Sequence, residues 1–196
     1  IGQLGRVQIF LQDLQAEGNL RKSLSIFRNL PKNYEARMVY PLMNLGFLLT
    51  LKSNFDEGTK YLLEAEEIAN RLNLPLFKYW VKNNLCNAYG MKLDLSKALE
   101  ACSETVKLFN ANELREGIDN VYTYGHLGIA LTRTGKPHEG EIYLRKGVEL
   151  IAKVSPNDEV FNAVMKSGLA ESLLAQNKID EARPLVEDTY PIIKAT

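Results

Sequence analysis

Apolar residues recur along this chain at three- and four-residue intervals, in paired stretches. Between His126 and Ile151, Leu127, Ala130 and Leu131 mark one stripe. Ile142, Leu144, Val148, Leu150 and Ile151 mark a second. That period is the signature of an amphipathic helix. Gly135, suited to a left-handed helix end, and Pro137, suited to a first helical turn, separate the stripes. The stretch is therefore a predicted helical hairpin.

The rest of the chain reads the same way. In residues 1–30, Val7, Phe10, Leu11 and Leu14 form one stripe and Leu24, Phe27 and Leu30 another, with punctuation at Gly18-Asn19 and a stop at Pro31. In residues 34–72 the stripes are Met38 to Leu49 and Leu62 to Leu72. Pro41 marks either a start near Tyr40 or a kink, and Asn54 is a predicted N-cap. In residues 75–109, Trp80 to Tyr89 and Ala98 to Phe109 flank a turn at Asp94–Ser96. Residues 112–153 hold the opening hairpin, with its first helix expected from near Glu113. Residues 157–194 close the series after the start signal Ser155-Pro156-Asn157. Strand-like alternation is absent. The expectation is an all-α chain of ten helices.

The hairpins share a register. A Leu followed by a small residue recurs as Leu45-Gly46, Leu85-Cys86, Leu127-Gly128 and Leu169-Ala170, at steps of 40, 42 and 42. Three residues beyond each small residue stands a large one: Leu49, Tyr89, Leu131, Leu173. Twelve beyond stands a second small one: Gly58, Ala98, Gly140, Ala182. Small residues let helix backbones approach, and large ones fill the gaps around them. Gly128, Gly140 and Gly147 are the expected helix-crossing positions of the best-matched copy. One hairpin cannot bury its own apolar face, so neighbours must stack.

This pattern resembles the tetratricopeptide repeat (TPR), in the longer form seen in kinesin-light-chain proteins and in bacterial regulators of the maltose-regulator and response-phosphatase types. The resemblance covers essentially the whole chain. Its departures are Cys86 in a Gly place, Leu93 where a turn Gly is usual, and a weak first unit. It implies a right-handed superhelical solenoid of about five antiparallel hairpins. The units span residues 4–31, 35–73, 75–110, 113–154 and 157–194, within one domain over 1–196. It also implies a concave groove lined by the first helix of each unit. The matching positions are Gln8, Gln12, Met43, Asn44, Phe47, Asn83, Asn84, Asn87, Tyr122, His126, Ile129, Arg133, Ser167 and Glu171. Side-chain amides both donate to and accept from an extended peptide backbone. Tyr122 and Phe47 supply apolar surface. No Lys or Arg stands at the matching places of the first three units, which disfavours capture of a C-terminal carboxylate as in co-chaperones.

Composition narrows the function. Lys plus Arg equals Asp plus Glu at 24 each, so there is no basic excess of the kind that binds nucleic acid. No apolar run approaches the ~20 residues of a membrane span. A cytoplasmic protein is expected. Cys86 and Cys102 face each other within one hairpin. They read most simply as two small apolar packers, with a disulfide or redox switch as the alternative. His126 and His138 are the only histidines. No metal, nucleotide or nucleophile-elbow motif is present, so neither cofactor, metal nor enzymatic activity is expected.

The expected function is a non-enzymatic scaffold or sensor module that binds a peptide, helix or partner domain, within a signalling or regulatory protein. The alternative is a small-ligand-sensing regulatory domain of a transcription activator or cyclase. The last helix spreads Leu185, Val186, Tyr190, Ile192 and Ile193 around more than one face. A solenoid normally ends on a polar capping face. More chain beyond Thr196 is therefore expected, or self-association through this helix.

Overall fold

The structure, a computed structural model, describes residues 14–112 and 114–195. Val7, Phe10 and Leu11 of the first stripe, with Gln8 and Gln12, lie outside them, as does Glu113. The described helices are α1 (Leu14–Arg28), α2 (Val39–Leu51), α3 (Phe55–Arg71), α4 (Pro75–Lys92), α5 (Leu95–Ala111), α6 (Ile118–Arg133), α7 (Pro137–Val154), α8 (Glu159–Ala175) and α9 (Ile179–Ala195). A 3-10 segment (Lys32–Met38) leads into α2. No strand occurs among the described residues.

Four hairpins, α2–α3, α4–α5, α6–α7 and α8–α9, stack in chain order. The second helix of each packs on the first helix of the next. The first helices α2, α4, α6 and α8 also touch one another in sequence, whereas the second helices make no comparable contact among the described residues. A stack packed tightly along one layer and splayed along the other must curve. The first helices therefore form the concave wall.

The register is visible in the turns. Ser53, Leu93, Gly135 and Asn177 all adopt left-handed backbone, at φ 60°, 60°, 87° and 61°. Each lies one residue before an amide that closes back onto a large apolar residue. Asn54 N donates to Leu49 O, Asp94 N to Tyr89 O, Lys136 N to Leu131 O and Lys178 N to Leu173 O, all at 2.8–3.0 Å. This is the Schellman closure of a helix end. Leu93 pays the steric cost of a Cβ there and leaves its side chain 62% exposed. Leu93→Gly should therefore raise stability by about 1 kcal/mol, the left-handed penalty less the entropy glycine adds to the unfolded chain. Urea titration checks the sign.

Packing explains the glycines. A Cβ at Gly46 would stand 2.5 Å from Leu62 Cγ and 2.8 Å from Gly58 O. A Cβ at Gly128 would stand 2.5 Å from Leu144 Cγ and 2.9 Å from Gly140 O. Gly147 differs: a Cβ there meets Met165 Sδ at an ordinary 3.4 Å, so this position is looser than expected. The register leucines Leu45, Leu85, Leu127 and Leu169 are all buried, each contributing about 2 kcal/mol by transfer from water. Ion pairs add a second ladder between neighbouring units, Arg21–Glu57, Lys92–Asp56, Arg133–Glu171 and Arg145–Glu181, while Arg71–Glu35 ties the end of α3 to the segment before α2.

Several local expectations change. α1 runs straight through Gly18 and Asn19, with no turn there; an exposed helical glycine costs only ~1 kcal/mol, which the surrounding helix absorbs. Asn54 stands at the N-cap of α3, as expected, but its side chain makes no capping bond and donates instead to Glu57 Oε2 at 2.8 Å. Of the two alternatives at Pro41, the start near Tyr40 is the one found: Pro41 falls in the first turn of α2, which starts at Val39. α6 begins at Ile118, later than the expected Glu113, behind an extended Gly117 whose N–H donates to Asn120 Oδ1 at 2.9 Å. Cys86 and Cys102 are joined in a disulfide across α4 and α5, with Cα atoms 4.7 Å apart, rather than packing as separate thiols.

At the far end, α8 and α9 leave apolar side chains in water. One repeat step of 42 residues back, Leu144, Val148 and Ile151 of α7 lie under α8, at most partly exposed. Their counterparts Val186, Tyr190 and Ile193 are 42%, 62% and 42% exposed.

Candidate functional site

The concave wall gathers several of the expected groove residues into one recess of about 130 Å³. Asn44 and Phe47 come from α2, Asn83, Asn84 and Asn87 from α4, and Tyr122 from α6. Ile118 and Asp119, which the sequence reading did not single out, complete it. They belong to the first turn of α6. The signal for them was Gly117 before an apolar-acidic pair, a helix-start pattern hidden by placing the start earlier.

The four asparagines do different work. Asn44 is buried and donates to Tyr40 O in its own helix at 2.7 Å. Asn83 donates to Thr123 Oγ1 at 2.7 Å and to Asp119 O at 3.2 Å, which ties α4 to α6. Asn87 Oδ1 lies 2.9 Å from His126 Nε2, a second tie between the same helices. With Asn87 as acceptor, the imidazole carries its proton on Nε2. Asn84 is half-buried and makes no hydrogen bond among the described residues. Its side-chain amide is free to give and to accept hydrogen bonds.

Tyr122 stacks on Phe161 of α8, with ring centroids 4.4 Å apart. Burial, and then the charges of Asp158 and Asp119, push its phenol above the ordinary value. It therefore presents a neutral O–H at the rim. His126 fits beside Gly90, where any Cβ would collide with the ring. The imidazole is so enclosed that burial pushes its pKa down to about 4, and it stays neutral near pH 7. His138 lies exposed in the first turn of α7.

The remaining expected residues sit elsewhere. Met43 is buried in the core. Ile129 packs into the cluster of Leu144, Leu169 and Leu173. Arg133 makes a two-pronged pair with Glu171, at 2.7 and 2.9 Å, further along the wall. Ser167 does not line the recess. The recess therefore offers amides, a phenol, two apolar walls and one carboxylate. Among the described residues, no group of three His, Cys, Asp or Glu is placed to hold a metal ion. No described helix is long and apolar enough to cross a membrane.

No protein-family model matches the chain, and no curated protein matches it in sequence. Solved structures match its shape. A kinesin light chain from Podosopora anserina with nearly identical TPR-like repeats superposes at a TM-score of 0.69 and 19% identity, covering 97% of this chain and 92% of that one. BtubC (BKLC) from P. vanneervenii gives 0.67 and 17%, covering 92% and 73%. The apo form of RapI gives 0.68 and 14%, covering 98% and 81%. This chain has a TPR-like fold. At such identities the likeness is one of architecture. In this TPR-like solenoid the recess lies where α2, α4 and α6 meet, at the centre of the stack.

Proposed function

We propose that this TPR-like chain is a non-enzymatic interaction module, and that the recess between α2, α4 and α6 holds one side chain of an extended peptide segment from a protein partner. The observation that carries this is the pairing of an unengaged amide, Asn84, with the apolar surfaces of Phe47, Ile118 and Tyr122 around one concave recess. An amide satisfies a peptide backbone, and the apolar walls take the side chain between. A regulatory module of a larger signalling protein is the context that suits such a surface. The small-ligand alternative is less favoured: about 130 Å³ is well below the ~300–1,000 Å³ of sites that enclose a drug-sized molecule.

A random peptide library displayed on phage tests this. Peptides enriched on the immobilised chain should bind the Asn84→Ala and Tyr122→Ala variants about tenfold more weakly, some 1.4 kcal/mol, while both variants keep cooperative melts. Equal binding to wild type and to both variants places the site elsewhere.

The exposed stripe of α9 favours a second, independent contact: self-association through the C-terminal helix. Val186, Tyr190 and Ile193 keep the apolar character that buries α7 under α8. The expected result is that Tyr190→Asp shifts sedimentation velocity profiles toward the monomer. An unchanged concentration dependence removes this reading.

A further inference from the structure

The repeat register singles out the one covalent link in the described chain. In the α2–α3 hairpin the crossing is made by Gly46 against Leu62, and in α6–α7 by Gly128 against Leu144. In α8–α9 the same two places hold Ala170 and Val186. In α4–α5 they hold Cys86 and Cys102, both fully buried and bonded to each other. Where neighbouring units rely on a small residue under a larger one, the central unit has a bond that a two-electron reaction can open.

That bond stands behind the recess. Cys86 is next to Asn87 and one turn from Asn83, on the helix that also presents Asn84. Asn83 and Asn87 are the ties from α4 to Thr123 and His126 of α6. α4 is therefore held on one side by the disulfide to α5 and on the other by three hydrogen bonds that join Asn83 and Asn87 to α6. Two thiols need more room than one disulfide, because van der Waals contact replaces a bond. A close-packed interior has no slack to supply that room, so α4 must move relative to α5, and its ties carry the movement to α6.

We propose that the Cys86–Cys102 disulfide is a redox-sensitive tether that sets the spacing of α4 and α6, and with it the shape of the recess. The reductant is a dithiol. Its thiolate attacks one sulfur, the Cys86–Cys102 bond breaks, and a mixed disulfide forms. The second thiol of the reductant closes its own disulfide and releases the protein sulfur. Two electrons and two protons pass to the protein, giving two cysteine thiols and one oxidised dithiol. Because both sulfurs are buried, the reaction proceeds through local opening of the α4–α5 hairpin, which makes it slow compared with an exposed disulfide.

The significance of the tether for binding rests on the recess reading above, but its structural effect does not. The test is carried out on the full chain, labelled with 15N and observed with and without dithiothreitol. Alkylation under denaturing conditions without reductant should find no free thiol in the untreated chain; two free thiols overturn the proposal. On reduction, the side-chain amides of Asn83 and Asn87 and the backbone amides of Thr123 and His126 should shift, while those of α9 stay fixed. Shifts confined to the neighbours of Cys86 and Cys102 show a simple staple and overturn it. The double variant Cys86→Gly, Cys102→Leu restores the pairing of the adjacent units, and its spectrum should be indifferent to dithiothreitol. Peptides enriched on the oxidised chain should change affinity at least threefold on reduction of wild type and not of the double variant. Amide shifts with unchanged affinity overturn the link to binding. If no peptide is enriched at all, the recess reading fails, while the amide shifts still decide the tether.

Discussion

Gly128→Leu lowers the free energy of unfolding by about 3 kcal/mol, at the upper end of the cost of overpacking a core. The first added carbon would already lie 2.5 Å from Leu144 Cγ and 2.9 Å from the carbonyl oxygen of Gly140. The side chain can rotate away, but the carbonyl belongs to the opposing helix backbone. α6 and α7 must then separate. Leu144, fully buried against Leu169, Ala170 and Leu173, then loses contacts as well. Gly147→Ala is the matched control. There the added carbon meets Met165 Sδ at 3.4 Å, Tyr124 Cβ at 3.7 Å and Gly125 N at 3.9 Å, all ordinary contacts. Alanine also favours the helix by ~1 kcal/mol over glycine. This variant should be neutral or slightly more stable. Guanidinium titration of both variants separates close crossing from glycine substitution as such.

Stability falls as acid is added in two windows, and His126 governs the upper one. Its imidazole has a pKa of about 4 in the fold because burial penalises the charged form. The ordinary value is ~6.5. Below pH ~6.5 the unfolded chain takes up a proton that the folded chain refuses. The stability associated with the neutral ring is thus present above pH ~6.5 and lost as pH falls towards about 4, by roughly 3 kcal/mol at most. Glu141 acts lower. Burial works against its charge, but hydrogen bonds from Lys178, Arg145 and Gln176 outweigh that and hold its pKa at about 2. Its contribution is present above its ordinary pKa of 4.5 and is lost as pH falls towards about 2. In His126→Gln the amide can still meet Asn87 but cannot titrate. The difference between wild type and this variant should shrink as pH drops from about 7 to about 4. Parallel stability curves over that range contradict the assignment.

The solenoid was legible because its register rests on side-chain size. Leu49, Tyr89, Leu131 and Leu173 stand three residues after a small residue in the sequence, and each accepts the hydrogen bond that closes its turn. Much of the recess was legible too, because helical period fixes which residues of α2 and α4 share a face. Period does not say which neighbour will engage a side chain. Asn83 and Asn87 look alike to Asn84 in sequence, yet their amides are taken by Thr123 and His126. Arg133 and Glu171, read as groove residues, neutralise each other across α6 and α8. Ile118 and Asp119 were missed because a helix start placed too early hid the first turn of α6. The disulfide was open in sequence, since a pair of small residues across a hairpin packs equally well as thiols; only the approach of the two backbones decides.

The proposed surface for a partner's peptide is the wall of α2, α4 and α6. Chemical-shift mapping of the 15N-labelled chain with a library-enriched peptide tests it most directly. The largest changes are expected on Asn44, Phe47, Asn84, Asn87, Ile118 and Tyr122. Largest changes on α3, α5 or α7, with these residues unmoved, would contradict it.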